Sequence, residues 1–306
     1  MKTTFYSNGK LLITGEYLVL DGAKAFALPT KFGQDLVVES GFNKEVKWKS
    51  YNYDDQLWFE DVISFAEITN NVEAKIETVK TTLITILHEA YLLNTDFINN
   101  AEGYEISTHL TFPKNWGLGT SSTLLNNIAQ WTKTDAYTLL KNSFGGSGYD
   151  IACAQNNTPI IYQIEQNTPI VEKTEFNPKF TKNIFFVYLN KKQSSKAAIT
   201  AYYNNKNENL AKNILDNNKI TEAILEAKTL NEFAHFVEKH EIHLSNILEL
   251  ETIKEIAFPD FNGVVKSLGA WGGDFVMAIS KENPKQYFTK KGYETILTYD
   301  EMILQQ

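Results

Sequence analysis

Apolar residues recur at helical spacing through one long stretch of the chain and alternate with polar residues through the next. Between Val72 and Asn94, the positions that share one helix face are Ile76, Val79, Leu83, Ile84, Leu87, Ala90 and Tyr91. From Tyr104 to Leu110 apolar side chains alternate with polar ones, as in a strand with one buried face. The pattern predicts an amphipathic helix followed by a half-buried strand.

Shorter stretches extend this pattern over the rest of the chain. Strands are predicted at 3–7, 10–20, 184–189 and 275–279, and helices at 122–131, 195–204, 208–216 and 220–239. A turn is predicted at Ser7-Asn8-Gly9. This order of elements favours an α+β fold with mainly antiparallel sheets. The length of 306 residues allows two domains, which we place at 1–175 and 176–306.

A glycine-rich segment joins the predicted strand at 104–110 to the helix that follows it. It reads Pro-Lys-Asn-Trp-Gly-Leu-Gly-Thr-Ser-Ser from Pro113 to Ser122. Glycines let a backbone approach a ligand closely, and the start of a helix offers N–H groups and the positive end of its dipole, a combination that binds phosphate. The segment lacks the Gly-Lys-Ser/Thr of a Walker A loop. An ordinary turn with a hydroxyl cap is the alternative interpretation.

Three further segments carry residues suited to phosphate chemistry. Lys10 follows a glycine on an early strand, where a lysine can reach a phosphate. Asp150 follows Gly145-Gly146-Ser147-Gly148, a position that suits a general base or a metal ligand. Another glycine-rich stretch runs from Gly269 to Asp274. Taken singly, the first two are explained better by an edge-strand lysine and a helix-capping aspartate, and the third is also explained by a tight turn.

The charged residues of the chain limit the classes of ligand that it is expected to bind. The formal net charge is −8, and nucleic-acid binding depends on clustered positive charge, so no nucleic-acid partner is expected. All 29 basic residues are lysine. A bound phosphate would therefore be held by lysine, backbone N–H groups, hydroxyls and a metal ion, because the bidentate fork of arginine is missing.

Cysteine usage and hydropathy are typical of a protein from a reducing compartment. Cys153 is the single cysteine, which excludes an internal disulfide, and we expect it to be a buried apolar residue. No apolar run approaches the ~18 residues that span a bilayer, and the first residues form no signal-peptide apolar segment. We expect a cytoplasmic protein with no membrane partner. The oligomeric state stays open, with a homodimer as one option.

Together, and in this order, the segments resemble the GHMP kinase superfamily, which includes galactokinase, homoserine kinase, mevalonate kinase and phosphomevalonate kinase. The stretch 10–20 resembles its first motif, 113–122 its second and 266–274 its third. The resemblance spans essentially the whole chain. It implies an ATP cleft between an N-terminal α+β domain and a C-terminal ferredoxin-like α+β domain. It also implies an ATP- and Mg²⁺-dependent kinase that acts on a small acceptor.

The resemblance implies a role for each matched residue. Lys10 would lie beside Asp150 and stabilise the transferring group, while Asp150 would orient or deprotonate the acceptor. Ser121 matches a magnesium ligand of the superfamily. The residues implied to bind ATP are Gly117, Leu118, Gly119, Thr120, Ser121 and Ser122. Those implied to bind the acceptor are Glu16, Tyr17, Ser147, Lys191, Lys192, Gly269 and Gly272.

Two details most resemble phosphomevalonate kinase, an enzyme of the mevalonate (isoprenoid) pathway. Gly15-Glu16-Tyr17 is similar to its Gly-Glu-Tyr, where mevalonate kinases more often have Gly-Glu-His. The stretch 147–152 is similar to its Gly-Tyr-Asp-(Val/Ile)-Ala segment. No glutamate lies between Ser122 and Asp150, so the metal-binding glutamate of the mevalonate kinases is missing here.

Other features depart from the superfamily pattern. Trp271 replaces a glycine of the third motif, so the backbone there cannot approach a ligand as usual, and Thr120 replaces a serine of the second. A phosphate on the acceptor would be left to lysines, for which the candidates are Lys191, Lys192 and Lys196, although a solvated turn fits them too. His240 and His243 lack the spacing of a zinc helix. We expect them at the surface or on the substrate side.

The sequence is consistent with three functions. The first is a kinase that phosphorylates phosphomevalonate, and the second is mevalonate kinase or another small-alcohol or sugar kinase. The third is a non-catalytic GHMP-fold protein that binds a sugar or nucleotide. Retention of Lys10, Ser121 and Asp150 argues against the third function, whereas Trp271 favours it.

Overall fold

The computed structural model describes residues 2–70, 76–191, 199–200, 202–203 and 209–305. The chain forms two compact units and enters each of them more than once. Unit 1 comprises Met1–Gly9, Phe32–Lys114 and Leu118–Gln155, and unit 2 comprises Lys10–Lys31, Asn115–Gly117 and Asn156–Gln306. The division into domains at 1–175 and 176–306 remains a prediction.

Unit 1 combines a mixed sheet with helices. Its strands are β1 (Lys2–Thr14), β2 (Ala25–Ser40), β3 (Glu45–Tyr51), β4 (Leu57–Ser64) and β5 (Tyr104–Leu110), of which β1 and β2 continue into unit 2. Its helices are α1 (Phe65–Asn70), α2 (Val79–Leu93), α3 (Asp96–Asn99), α4 (Thr120–Thr132), α5 (Ala136–Ser143) and α6 (Tyr149–Ala154). The order within the unit is β4-β3-β5-β2, in which only β3 and β5 are parallel.

The core of unit 1 contains the predicted apolar side of β5 and part of the predicted helix stripe. The helix predicted at 72–94 begins at Val79, and two positions of its predicted stripe, Ile76 and Val79, are 73% and 43% exposed. In β5 the residues Ile106, Thr108 and Leu110 are buried, whereas Glu105 is exposed. The buried side of α2 is formed by Leu83, Ile86, Leu87 and Ala90. Leu125 and Ile128 attach α4 to the same core. The start of α4 therefore belongs to a helix that is packed into the core of unit 1.

β1 runs without a break through the segment predicted as a turn. Ser7 is fully buried; its hydroxyl donates to Asn127 Oδ1 at 2.7 Å and accepts from Asn126 Nδ2 at 2.8 Å. Because α4 satisfies this polar side chain, turn-favouring residues occur within a strand. The predicted turn is wrong. The strand predicted at 10–20 ends at Thr14, and Leu18–Asp21 forms a 3₁₀ helix.

Unit 2 contains a four-stranded antiparallel sheet and several helices. The first part of β2 pairs with β6 (Ile160–Glu165), which pairs with β7 (Thr168–Lys173). The order of the four-stranded sheet is β11-β8-β10-β9, with β8 (Ile184–Tyr188), β9 (Val264–Leu268), β10 (Phe275–Ile279) and β11 (Ile296–Thr298). The helices are α7 (Leu210–Glu226), α8 (Leu230–Leu248), α9 (Ile253–Ala257), α10 (Lys285–Lys290) and α11 (Tyr299–Met302), and Thr181–Asn183 forms a 3₁₀ helix.

Both central strands of this sheet, β8 and β10, are buried along their whole length, which explains their continuous apolar runs. The predicted helix break at 217–219 is wrong. α7 continues to Glu226, and α8 begins at a capping box formed by Thr229 and Glu232. The helix predicted at 195–204 lies mostly outside the described residues.

The predicted α+β class is confirmed. Followed along its hydrogen bonds, the first sheet has seven strands in the order β4-β3-β5-β2-β6-β7, with β1 paired to β2. The second sheet has four. Within the described part of the chain, no helix combines the length and the apolar character needed to cross a membrane.

Candidate functional site

The glycine-rich loop opens a helix, as its sequence predicts. β5 ends at Leu110 and α4 begins at Thr120. Gly117 has φ 68° and Gly119 has φ 98°, which is the left-handed region that side chains disfavour. Glycine at these two positions therefore allows the chain to turn into α4.

The first turn of α4 has no side-chain cap. By contrast, α2 and α8 are capped by Thr78 and Thr229, whose hydroxyls each accept an N–H of the first turn. Gly119 has no side chain to do so, and the Ser122 hydroxyl donates to the Gly119 carbonyl at 2.9 Å. The first-turn N–H groups of a helix have no partner within it, and an anion is stabilised there. Ser121 is exposed in this turn.

The front of the loop is held within unit 2. Lys10, which is half-buried, donates from Nζ to the Gly117 carbonyl at 3.1 Å. The Tyr188 hydroxyl donates to the Asn115 carbonyl at 3.3 Å. Both backbone oxygens are thus fixed by side chains from distant parts of the sequence. The contact attaches the predicted catalytic lysine to the loop that the resemblance assigns to phosphate binding.

Asp274 lies against the same loop, a contact that the sequence does not reveal. Its carboxylate occupies the space that a Cβ on Gly117 would need, and even the Asp274 Cβ would lie 2.8 Å from such an atom. Burial raises the pKa of Tyr188, and the charge of Asp274 adds to that rise. The sequence places Asp274 at the end of the third motif, and no local pattern links it to Gly117.

Asp150 lies at the start of α6 in unit 1. It follows Gly148, which has φ 86°, and its Oδ1 accepts the Ile151 N–H at 3.0 Å. The carboxylate is half-buried. Burial raises the pKa of Tyr137 to about 12, and the charges of Asp135 and Asp150 add to the effect. The helix start therefore keeps a partly exposed acidic group, as a base or metal ligand requires. Cys153 is fully buried, which confirms that prediction.

The predicted acceptor residues are distributed over several elements. Ser147 is half-buried ahead of α6, and Lys191 is exposed just beyond β8. Lys192 and Lys196 lie outside the described residues. Gly269 and Gly272 both have positive φ, 75° and 67°. Their roles toward an acceptor remain predictions.

A buried cluster of charged and titratable side chains lies in unit 2, and its members are Glu16, His240, Glu241 and Lys266. None is more than 3% exposed. Lys266 Nζ lies 2.5 Å from Glu16 Oε1 and 3.9 Å from Glu241 Oε2. The surface position expected for His240 is wrong, because its Nε2 accepts the Gly15 N–H at 3.2 Å in the interior. His243 is half-buried.

Burial is the largest influence on the pKa values of Glu16, His240 and Glu241. It raises the pKa of Glu16 to about 7, although the Lys266 ammonium opposes the rise. It also raises the pKa of Glu241 and lowers the pKa of His240 well below its usual value. His240 Nε2 lies 3.2 Å from both the Gly15 nitrogen and Asn217 Oδ1. One cation thus faces two carboxyl groups, of which Glu16 takes up a proton near neutral pH.

Tyr17 connects the first motif to the third. Its hydroxyl accepts the backbone N–H of Trp271 at 2.7 Å, and the Trp271 indole donates from Nε1 to the Glu251 carbonyl at 3.2 Å. The residue that replaces a glycine of the third motif is therefore bound through both its backbone and its side chain.

Comparison with known proteins gives matches at the level of structure. No family model and no curated protein sequence matches the chain. Mevalonate kinase of Methanococcus jannaschii is 17% identical, with a TM-score of 0.69 over 100% of this chain and 99% of that one. Galactokinase of Lactococcus lactis, complexed with galactose, is 13% identical, with a TM-score of 0.73 over 99% and 93%. Phosphomevalonate kinase of Streptococcus pneumoniae, with phosphomevalonate and AMPPNP, is 17% identical, with a TM-score of 0.67 over 99% and 98%.

The chain has the GHMP kinase fold. The resemblance predicted from the three motifs is thus confirmed for the architecture, over nearly the full length of each matched structure. Identities of 13% to 17% carry the likeness no further than the fold. The roles of individual residues in this GHMP fold therefore depend on the motifs and on the geometry described above.

Proposed function

We propose that this protein is an ATP-dependent phosphotransferase of the GHMP type, which transfers the γ-phosphoryl group of ATP to a small acceptor. One observation carries the proposal: the loop whose Gly117 carbonyl binds Lys10 leads into a helix start without a side-chain cap. The Lys10 ammonium thus contacts the same loop that ends in the uncapped N–H groups of α4. Phosphoryl transfer depends mainly on such positioning and charge neutralisation, and the GHMP fold supports this assignment.

The proposed roles follow from the chemistry of each group. The backbone of 117–122 holds the ATP phosphates, Lys10 neutralises charge on the transferring group, and Asp150 orients or deprotonates the acceptor. The exposed hydroxyl of Ser121 suits Mg²⁺, which takes few protein oxygens and completes its shell with phosphate oxygens and water. When bound, the metal supplies neutralisation of the phosphate charge.

Gly117→Ala is expected to weaken nucleotide binding at least about tenfold, the effect of about 1.4 kcal/mol. A methyl group would collide with the Asp274 carboxylate, and φ of 68° strains any side chain there. Titration of an ATP analogue, followed by intrinsic tryptophan fluorescence, measures the loss. Gly292→Ala is the matched control, because Gly292 also has a positive φ, 89°, but has open space where a Cβ would lie. An equal loss of affinity in both variants would contradict the role of the Gly117–Asp274 contact.

For the acceptor we propose phosphomevalonate. The support is the Gly15-Glu16-Tyr17 sequence, the similarity at 147–152 and the missing glutamate between Ser122 and Asp150. The structures with this fold also include mevalonate kinase and galactokinase. Mevalonate and other small alcohols or sugars are therefore the alternative acceptors.

A non-catalytic GHMP-fold protein is the second candidate, and one observation favours it. The Trp271 N–H is donated to Tyr17 within the chain, so the third motif has one backbone amide fewer for a ligand. Such a protein would bind a nucleotide or sugar without turnover.

A substrate panel separates these functions. The protein is incubated with Mg-ATP and mevalonate, phosphomevalonate, galactose or homoserine, and ADP release is measured. Turnover of phosphomevalonate alone supports the proposal, and turnover of another member changes the acceptor. Tight ATP binding without turnover of any member would support the non-catalytic candidate.

A further inference from the structure

Tyr17 has a backbone conformation that few residues other than glycine adopt. Its φ is 61° and its ψ is −52°, outside the regions open to ordinary residues. Such a conformation persists only where the surrounding structure over-determines it, and it often marks a functional position. The neighbours of Tyr17 therefore indicate what this strain maintains.

Contacts on both sides hold Tyr17 in unit 2. Its ring stacks on Tyr202 with centroids 5.7 Å apart and belongs to an apolar cluster with Leu244 and Leu248. On the preceding side, Gly15 has no room for a Cβ, which would lie 2.6 Å from the Lys24 carbonyl oxygen. Glu16 is bound by Lys266. These contacts hold the ring of Tyr17 in place and direct its hydroxyl at a defined target.

That target is the backbone of the third motif. The hydroxyl lies 2.7 Å from the Trp271 nitrogen, and the Trp271 side chain packs partly buried on the same apolar cluster. Gly269, two residues earlier, has nothing within 4 Å of where its Cβ would be. One part of the loop is therefore anchored, while the bare backbone at Gly269 faces open space.

We propose that Tyr17 is a positioning residue for the acceptor, which acts through the Trp271 amide on the loop 269–273. The inference rests on the proposed kinase function. It gives Tyr17 an indirect role instead of the direct acceptor contact that the resemblance implies, because Tyr17 is only 7% exposed and its hydroxyl already binds the loop. Fixing a loop before binding raises acceptor affinity by removing unproductive conformations.

Tyr17→Phe tests the proposal, since it keeps the ring and removes only the hydroxyl. We expect hydrogen exchange in the peptide covering 264–275 to become at least about fivefold faster, because the Trp271 amide loses its acceptor. We expect the KM for the acceptor to rise about 5- to 10-fold, the effect of one hydrogen bond. The KM for ATP is expected to stay within about twofold, because Tyr17 binds the third motif at Trp271, whereas the contact with Gly117 is made by Asp274, three residues further on.

Tyr287→Phe is the matched control. The Tyr287 hydroxyl also makes a 2.7 Å hydrogen bond in unit 2, to Asp260 Oδ1, and its loss is expected to change neither KM nor exchange at 264–275. A purely structural role for Tyr17 would instead give similar losses of thermal stability in both variants, with no split between the two KM values.

Three outcomes would overturn the proposal. Unchanged exchange at 264–275 in Tyr17→Phe would remove the anchoring contact. Equal rises in the KM for acceptor and ATP would remove the selectivity for the acceptor. Faster exchange in a protein whose wild type turns over no acceptor would refute the kinase function itself and leave Tyr17 as a loop anchor only.

Discussion

Asp150→Asn is expected to lower kcat by about 10²- to 10⁴-fold, the contribution of a positioned general base. Asparagine keeps the oxygen that accepts the Ile151 N–H at 3.0 Å, so the helix start survives, but the amide can neither take up a proton nor carry charge. Turnover is measured with Mg-ATP and the acceptor that the panel identifies. A phosphate monoester is largely ionised and needs little base, so with phosphomevalonate we expect the lower end of this range.

Asp135→Asn is the control for this prediction. Asp135 makes the same kind of contact at the start of α5, where its Oδ1 accepts the Thr138 N–H at 2.7 Å. Asparagine caps a helix about as well as aspartate, so kcat and stability are expected to change little. A folded Asp150→Asn variant with wild-type turnover would exclude Asp150 from the mechanism.

Lys266→Met is expected to destabilise the fold by about 3–5 kcal/mol, the cost of removing one partner from a buried ion pair. The variant leaves Glu16 and Glu241 buried at no more than 3% exposure without their cation. Urea unfolding measures the loss. The control is Lys24→Met, because Lys24 forms a 2.6 Å pair with Glu222 in which the side chains are 35% and 53% exposed. Exposed pairs contribute about 0–1 kcal/mol, and an equal loss in both variants would contradict the prediction.

The cost of Lys266→Met is expected to increase with pH. The folded pKa of Glu16, about 7, lies above the ordinary value of 4.5, so the fold favours the protonated carboxyl. Ionisation of Glu16 therefore destabilises the fold progressively as pH rises from 4.5 through 7. Loss of Lys266 raises this pKa further. The difference from wild type is expected to be smaller at pH 5 than at pH 8, and adding Glu16→Gln is expected to recover part of the loss at pH 8. A loss independent of pH would contradict this account.

Local rules explain which parts of the site the sequence predicts. Gly117 and Gly119 mark a turn into a helix because their positive φ depends only on neighbouring residues. Gly148, with φ 86°, likewise precedes α6 and places Asp150 in its first turn. The alternation of β5 follows from one buried face. Each of these features is decided within a few residues.

Contacts between distant residues account for what the sequence does not predict. His240 binds the Gly15 amide, 225 positions away, and Asp274 fills the space beside Gly117. One signal was available for the buried cluster. The buried side of α8 is formed by Phe233, Val237, His240, Glu241, Leu244, Ile247 and Leu248, so the histidine and the glutamate lie on an apolar stripe. A polar pair on such a stripe indicates buried partners elsewhere in the chain.

The uncapped start of α4 has a consequence for the ligand-free protein. Glycine in place of a capping side chain costs a helix roughly a few tenths of a kcal/mol, and Gly119 at φ 98° provides no side-chain cap. An anion bound there supplies the missing hydrogen bonds, so its binding adds directly to the stability of the fold. In the proposed function, the start of α4 is therefore less stable in the ligand-free protein, and bound nucleotide phosphate makes up the difference.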